Sequence, residues 1–175
     1  MKKSYYILMS VIVMILVQSC SSIKDSGSRD GSGIDQATLE KAIQSRQFIV
    51  KFDMMYTYNG PVYLRPRSNY IIVDGENAII STAYLGRQYG IRPIAGINMR
   101  GRASDYEITK KVKRERYDIS LKVNNEGTRF DVYLTVGRNG TVSASMNSMR
   151  ISSARYAGYI VPINRRTQFQ DDDMI

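Results

Sequence analysis

The chain contains no histidine and a single cysteine, Cys20. Without an imidazole there is no Ser-His-Asp triad and no Cys-His pair, and without a set of Cys or His ligands there is no ordinary zinc site. One thiol makes no internal disulfide, so the core must hold unaided. Acidic residues are also scarce: 16 Asp and Glu face 25 Lys and Arg, a formal surplus of +9 that becomes +7 once the leader lysines Lys2 and Lys3 are removed. Such a surplus favours anionic partners such as lipid headgroups, acidic glycans or nucleic acid, but it bears on association rather than on fold. A length of 175 residues with 43% apolar content fits one domain.

There is one long hydrophobic run. Residues 5–17 are apolar except for Ser10 and follow Lys2 and Lys3. About 13 residues span roughly 20 Å as a helix, short of a bilayer core of about 30 Å, so the run reads as the core of a signal sequence. Val17-Gln18-Ser19-Cys20 then resembles a lipobox, with an aliphatic residue three places before the cysteine and a small one just before it. Residues 1–19 are therefore expected to be a lipoprotein signal peptide, with Cys20 the lipidated residue. Acyl chains contribute about 0.8 kcal/mol per buried methylene, enough together for lasting attachment to a membrane. Residues 20–34, rich in Ser and Gly, have too little apolar area to order and read as a flexible tether. The expected location is the cell envelope, lipid-anchored at the outer membrane and facing either the periplasm or the cell surface.

A single β domain is expected over residues 35–163. Asp35 can cap a short helix reaching about Ser45, with Leu39 and Ile43 on one face that packs on the sheet. The period then changes to two, with Phe48, Val50, Phe52, Met54 and Tyr56 on the apolar face of a long strand. Asn59-Gly60-Pro61 breaks it. Asp74-Gly75-Glu76-Asn77 separates two further apolar runs at hairpin spacing. Residues 85–102 hold four glycines and a proline and read as a loop with a short strand near Ile94 to Met99, with another strand through Tyr106, Ile108 and Val112. The clearest alternation follows in Ile119, Leu121 and Val123, then Phe130, Val132, Leu134 and Val136, then Val142, Ala144 and Met146. The turn residues Asn124 to Gly127 and Gly137 to Gly140 lie between these runs. Hairpins in series without a long helical crossover predict an all-β, antiparallel up-and-down meander, closed as a barrel or left half-open. Residues 164–175, with Asp171, Asp172 and Asp173, read as a disordered tail.

Two local signatures carry a family resemblance. Tyr84-Leu85-Gly86-Arg87-Gln88-Tyr89 resembles a Tyr-Phe-Gly followed by a tyrosine, with Thr82-Ala83 standing where Leu-Pro is usual; the second is Asn139-Gly140, then Arg150, Tyr156 and Gly158. On these, residues 35–161 are similar to a DUF4251-like family of Bacteroidetes lipoproteins of unknown function. The resemblance implies a lipocalin-like barrel and supplies no activity.

No catalytic residue emerges, and no cofactor or metal is expected. Lys110, Lys111, Lys113, Arg114 and Arg116 crowd one strand end and turn. They could attract phosphates of lipid, nucleic acid or acidic polysaccharide, although the plainer reading is a solvated hairpin end guarding a sheet edge. An exported protein rarely meets nucleic acid, which is not expected as a partner. Tyr84, Arg87, Tyr89 and Arg92 could grip a sugar or carboxylate at a barrel mouth, or simply pack over it. Arg150, Arg155 and Tyr156 form a third group, suited to a ligand or to a buried arginine–carboxylate pair closing the sheet. The carboxylates Asp53, Asp105, Glu107, Asp118 and Asp131 mostly fall on polar strand faces. The expected function is a non-enzymatic module binding a hydrophobic or anionic ligand, or an envelope protein, at a membrane surface. The alternative is a carboxylate-dependent hydrolase acting on envelope glycans.

Overall fold

The computed structural model describes residues 33–85 and 96–163. Helix α1 (Gln36–Ser45) opens the domain, and nine strands follow: β1 (Gln47–Thr57), β2 (Gly60–Tyr63), β3 (Tyr70–Asp74), β4 (Asn77–Ala83), β5 (Gly96–Lys111), β6 (Arg116–Asn125), β7 (Thr128–Gly137), β8 (Thr141–Ser148) and β9 (Ile151–Pro162). Every pairing is antiparallel, in the order β2-β1-β3-β4-β5-β6-β7-β8-β9, and β1 pairs again with β9. That last ladder closes an eight-stranded barrel, so of the two architectures open to the sequence the closed one is adopted. β2 stands outside the ring, paired with the second half of the same β1 edge that carries β3 on its first half.

The helix begins where its composition places it. The Asp35 carboxylate accepts a hydrogen bond from the Thr38 backbone N–H at 3.0 Å, satisfying a donor that the first turn leaves open. Hydrogen bonding with the Thr38 side chain, and after it with the Thr38 backbone, draws the Asp35 carboxyl below its ordinary range. Leu39, Ala42 and Ile43 form the buried stripe. Because α1 precedes β1, it lies at the barrel end where β1 starts, β9 finishes, and the β5–β6 and β7–β8 turns reverse the chain. Tyr106 of β5 fixes it there, donating from its hydroxyl to the Ile43 carbonyl at 2.8 Å, with the Arg46 guanidinium 4.8 Å above its ring.

Alternation on β6, β7 and β8 follows the expected phase, with Ile119, Leu121, Val123, Phe130, Val132, Leu134, Val136, Val142, Ala144 and Met146 all buried. β1 departs from it. Its register against β9 shifts between Phe52 and Met54, so that Met55 turns inward while Tyr56, expected on the apolar face, is exposed. A bulge of this kind resets the period of two for every residue beyond it. β5 also differs: from Gly96 onward, the two short strands expected near Ile94 to Met99 and through Tyr106, Ile108 and Val112 are one strand of 16 residues, while residues 86–95 of the expected loop lie outside the described residues. It pairs with β4 through Arg102 and with β6 from Arg102 on, and a second bulge between Ser104 and Glu107, with Asp105 left-handed at φ 50°, bends it across. Val112 lies past its end, in a single 3-10 turn (Val112–Arg114). β9, which the sequence pattern does not reveal, supplies the closing ladder.

Two glycines permit this path. A Cβ on Gly101 would overlap the Asn124 carbonyl of β6, and a Cβ on Gly158 would overlap the Lys51 carbonyl of β1 beside the bulge. Only a residue without a side chain allows backbones so close at a barrel corner.

The inward side chains form one continuous cluster whose members are at most 7% exposed. A ligand-sized chamber would leave its walls reachable by water, and among the described residues these inward side chains are not. The interior is a packed core, the outcome that eight strands permit when large side chains meet across the axis.

Gly158→Ala is expected to lower unfolding stability by about 3 kcal/mol, the cost of overpacking a closed site, read as a fall in the urea midpoint. Gly127→Ala, in an open turn at φ 79°, should cost roughly 1–2 kcal/mol. Equal and small effects at both positions would contradict the tight β1–β9 seam.

Candidate functional site

The expected site residues fall into three places. At the barrel end away from α1, Tyr84 follows β4 and Tyr156 projects inward from β9; both are buried. The Tyr156 hydroxyl donates to the Ala83 carbonyl at 2.9 Å, and its ring stacks on Phe52 with centroids 4.9 Å apart. The Tyr84 hydroxyl donates to the Ser152 carbonyl at 3.3 Å and lies 3.1 Å from the Ser152 hydroxyl. Asn69 completes the group. Its side-chain oxygen accepts from the Ala83 N–H at 2.7 Å and the Thr82 hydroxyl at 3.3 Å, while its amide nitrogen donates to the Arg65 carbonyl at 2.9 Å. These bonds tie the end of β4 to β9 and to the turn before β3. Asn69 and Thr82 are both buried; the sequence marks Thr82 only as a departure from the family signature and Asn69 not at all, because nothing in a lone Asn or Thr signals burial.

Outside this plug is a hollow of about 360 Å³ lined by Tyr56, Thr57, Tyr58, Tyr84, Leu85 and Ser153 among others, with no charged group among the described residues of its wall. Arg87, Tyr89 and Arg92 lie outside the described residues. So does Cys20.

Arg150 sits in the β8–β9 turn, exposed, beside a hollow of about 510 Å³ whose one carboxylate, Asp131, is 3.4 Å from Arg129. Arg155 is exposed on β9. Neither arginine is in an ion pair with a described residue, so the buried arginine–carboxylate pair considered for closing the sheet is not there. Backbone pairing between β1 and β9 closes it instead.

The basic run forms the third place, at the α1 end, and its members differ. Lys110 contacts Glu40 of the helix at 2.9 Å and lies 5.5 Å from the centre of the Tyr117 ring. The bond raises the lysine's affinity for its proton and draws the Glu40 carboxyl down. Arg116 pairs with Asp118 at 3.2 Å, and Glu115 with Arg138 at 3.0 Å. Lys111, Lys113 and Arg114 are exposed and form no ion pair with a described residue.

The class this defines is an eight-stranded antiparallel barrel with a filled interior, one end covered by an N-terminal helix and the other plugged by tyrosines and an asparagine. Residues 33–160 match the family described as a domain of unknown function, DUF4251, and the chain belongs to that family. The crystal structure of a DUF4251 family protein from Bacteroides eggerthii is similar, with a TM-score of 0.60 and 18% sequence identity over 73% of this chain and 89% of that one. At this identity the likeness concerns the fold. No curated protein matches.

Burial pushes the Tyr156 phenol up to about 12. A phenol whose folded value exceeds its unfolded value of about 10 favours the fold while neutral. Its contribution is complete below pH of about 10 and is lost as pH rises toward about 12. Tyr156→Phe should cost about 1 kcal/mol near neutral pH through the lost bond to Ala83, and should flatten the alkaline fall of the melting temperature. A wild-type and variant profile that stay parallel above pH of about 10 would contradict the buried phenol.

Proposed function

We propose that the protein is a lipid-anchored module of the cell envelope, held at a membrane through Cys20, which works by surface interaction and not by catalysis. The filled barrel interior supports this reading, since a carrier of hydrophobic ligands needs a chamber and the inward side chains of the described strands pack into one buried cluster. The leader pattern of Lys2, Lys3, the apolar run and Val17-Gln18-Ser19-Cys20 supports the anchor.

Hydrolysis of envelope glycans receives less support. A glycosidase needs two carboxyls flanking one cleft, one of them held protonated. The four hollows lined by described residues carry at most one carboxylate each, Asp131 in one case and Glu115 in two others. The exposed side chains of Tyr56, Tyr58 and Tyr63 near the plugged end suit a protein partner, because tyrosine offers wide contact area at low entropic cost.

In the native host, Cys20→Ala is expected to move the protein from the membrane fraction to the soluble fraction or to leave it as unprocessed precursor. Native mass spectrometry of the wild-type protein should show no stoichiometric small ligand retained after removal of detergent. A Cys20→Ala protein processed and membrane-bound like the wild type would refute the anchor; a lipid or glycan bound one to one would refute the filled barrel.

A further inference from the structure

The chain enters the domain at the same barrel end as the basic turn. Ile34 and Gln36 line one hollow with Arg114, Glu115 and Arg138, and Gln36 lines a second with Lys111, Val112 and Arg116. At the apex of that turn stands Val112, 75% exposed, flanked by Lys111, Lys113 and Arg114. An apolar side chain raised among three cations with no carboxylate partner among the described residues is an unusual placement for a hairpin that only guards an edge. Lysines alone would do that, and the neighbouring cations Lys110, Arg116 and Arg138 are already matched by Glu40, Asp118 and Glu115.

We infer that the β5–β6 turn docks on an anionic lipid surface, with Lys111, Lys113 and Arg114 meeting headgroup phosphates and Val112 entering the interface between them. The charge on this end and the apolar apex act together, as in other interfacial segments, where electrostatic attraction and a small buried apolar area add. The inference deepens the reading above and rests on it for orientation. Cys20 precedes Asp35 by about 15 residues, a span of at most about 50 Å even fully extended. An acyl group there would keep this end of the barrel within reach of the bilayer, and docking through the β5–β6 turn would face the tyrosine-plugged end away. A lipid surface fits better than nucleic acid, since a phosphate backbone gives Val112 nothing to enter.

The chain contains no tryptophan, so Val112→Trp in the full-length protein introduces a unique fluorophore at the apex. With phosphatidylcholine vesicles containing phosphatidylglycerol, its emission is expected to shift to the blue and to be quenched by brominated acyl chains. Pure phosphatidylcholine should leave it unchanged. Adding Lys111→Glu, Lys113→Glu and Arg114→Glu should weaken the response roughly tenfold or more, while Arg129→Glu, away from this end, should not. An unchanged emission with anionic vesicles, an equal shift on neutral ones, an equal loss with Arg129→Glu, or a shift with duplex DNA alone would each overturn the inference. The readout does not require an acyl group, so its failure and the failure of the Cys20 anchor are separately visible.

Discussion

The β1–β9 ladder is the constraint on which the rest depends. A meander that stopped at β8 would leave two strand edges with unpaired N–H and C=O groups and an apolar face open along one side. Pairing the last strand with the first removes both exposures at once. The approach it demands is so tight that Gly158 passes against the Lys51 carbonyl, and β1 accommodates the curvature with the bulge between Phe52 and Met54. β1 then serves three neighbours, with β9 on one edge and β3 and β2 in succession on the other. The short β2, with Pro61 and the turn at Gly60, leaves only a blunted edge outside the ring.

Closure at eight strands also decides what the interior can be. At that circumference, Phe48, Phe52, Tyr156, Leu121, Leu134 and Met146 reach one another across the axis and exclude water. Each fully buried side chain of this size contributes roughly 1.5–3 kcal/mol, whereas the exposed ion pairs on the outer wall contribute little. Stability and function are thereby separated. The inside holds the fold, and the proposed recognition falls to the outside, where the β5–β6 turn beside α1 presents cations and a valine and the hollow over the plug presents tyrosines and serines.

The sequence reveals those parts whose physics is local. Asp35 announces the helix because capping is decided within four residues, and β6, β7 and β8 are visible because an uninterrupted period of two marks a half-buried strand. β1 is visible only up to Phe52, since the bulge that reverses the phase exists to meet a strand more than a hundred residues away. β5 looks broken because Gly101 resembles a loop residue, yet its role is to pass close to Asn124. β9 is hidden by Ser152, Ser153, Arg155 and Gly158, which satisfy the seam and not an alternation rule. At the candidate sites the run of lysines and arginines is plain in the sequence. Which of them are matched by carboxylates, and that Val112 crowns the turn instead of continuing the strand, depends on tertiary placement.

The carboxylates argue the same division from the other side. Glu40, Glu76, Asp105, Glu115, Asp118 and Asp131 each stand beside a lysine or arginine on the outer wall. Lys122 draws Asp105 downward, as Lys110 does Glu40. A general acid needs the opposite environment, a carboxyl kept protonated by burial or by a second carboxylate. With acids in the minority, matching them to cations ties up much of the negative charge and leaves some cations without an ion pair among the described residues. Lys111, Lys113 and Arg114 are among them. Part of the basic character of the chain is thereby held by an exposed turn at the end from which residue 33 leads back toward Cys20.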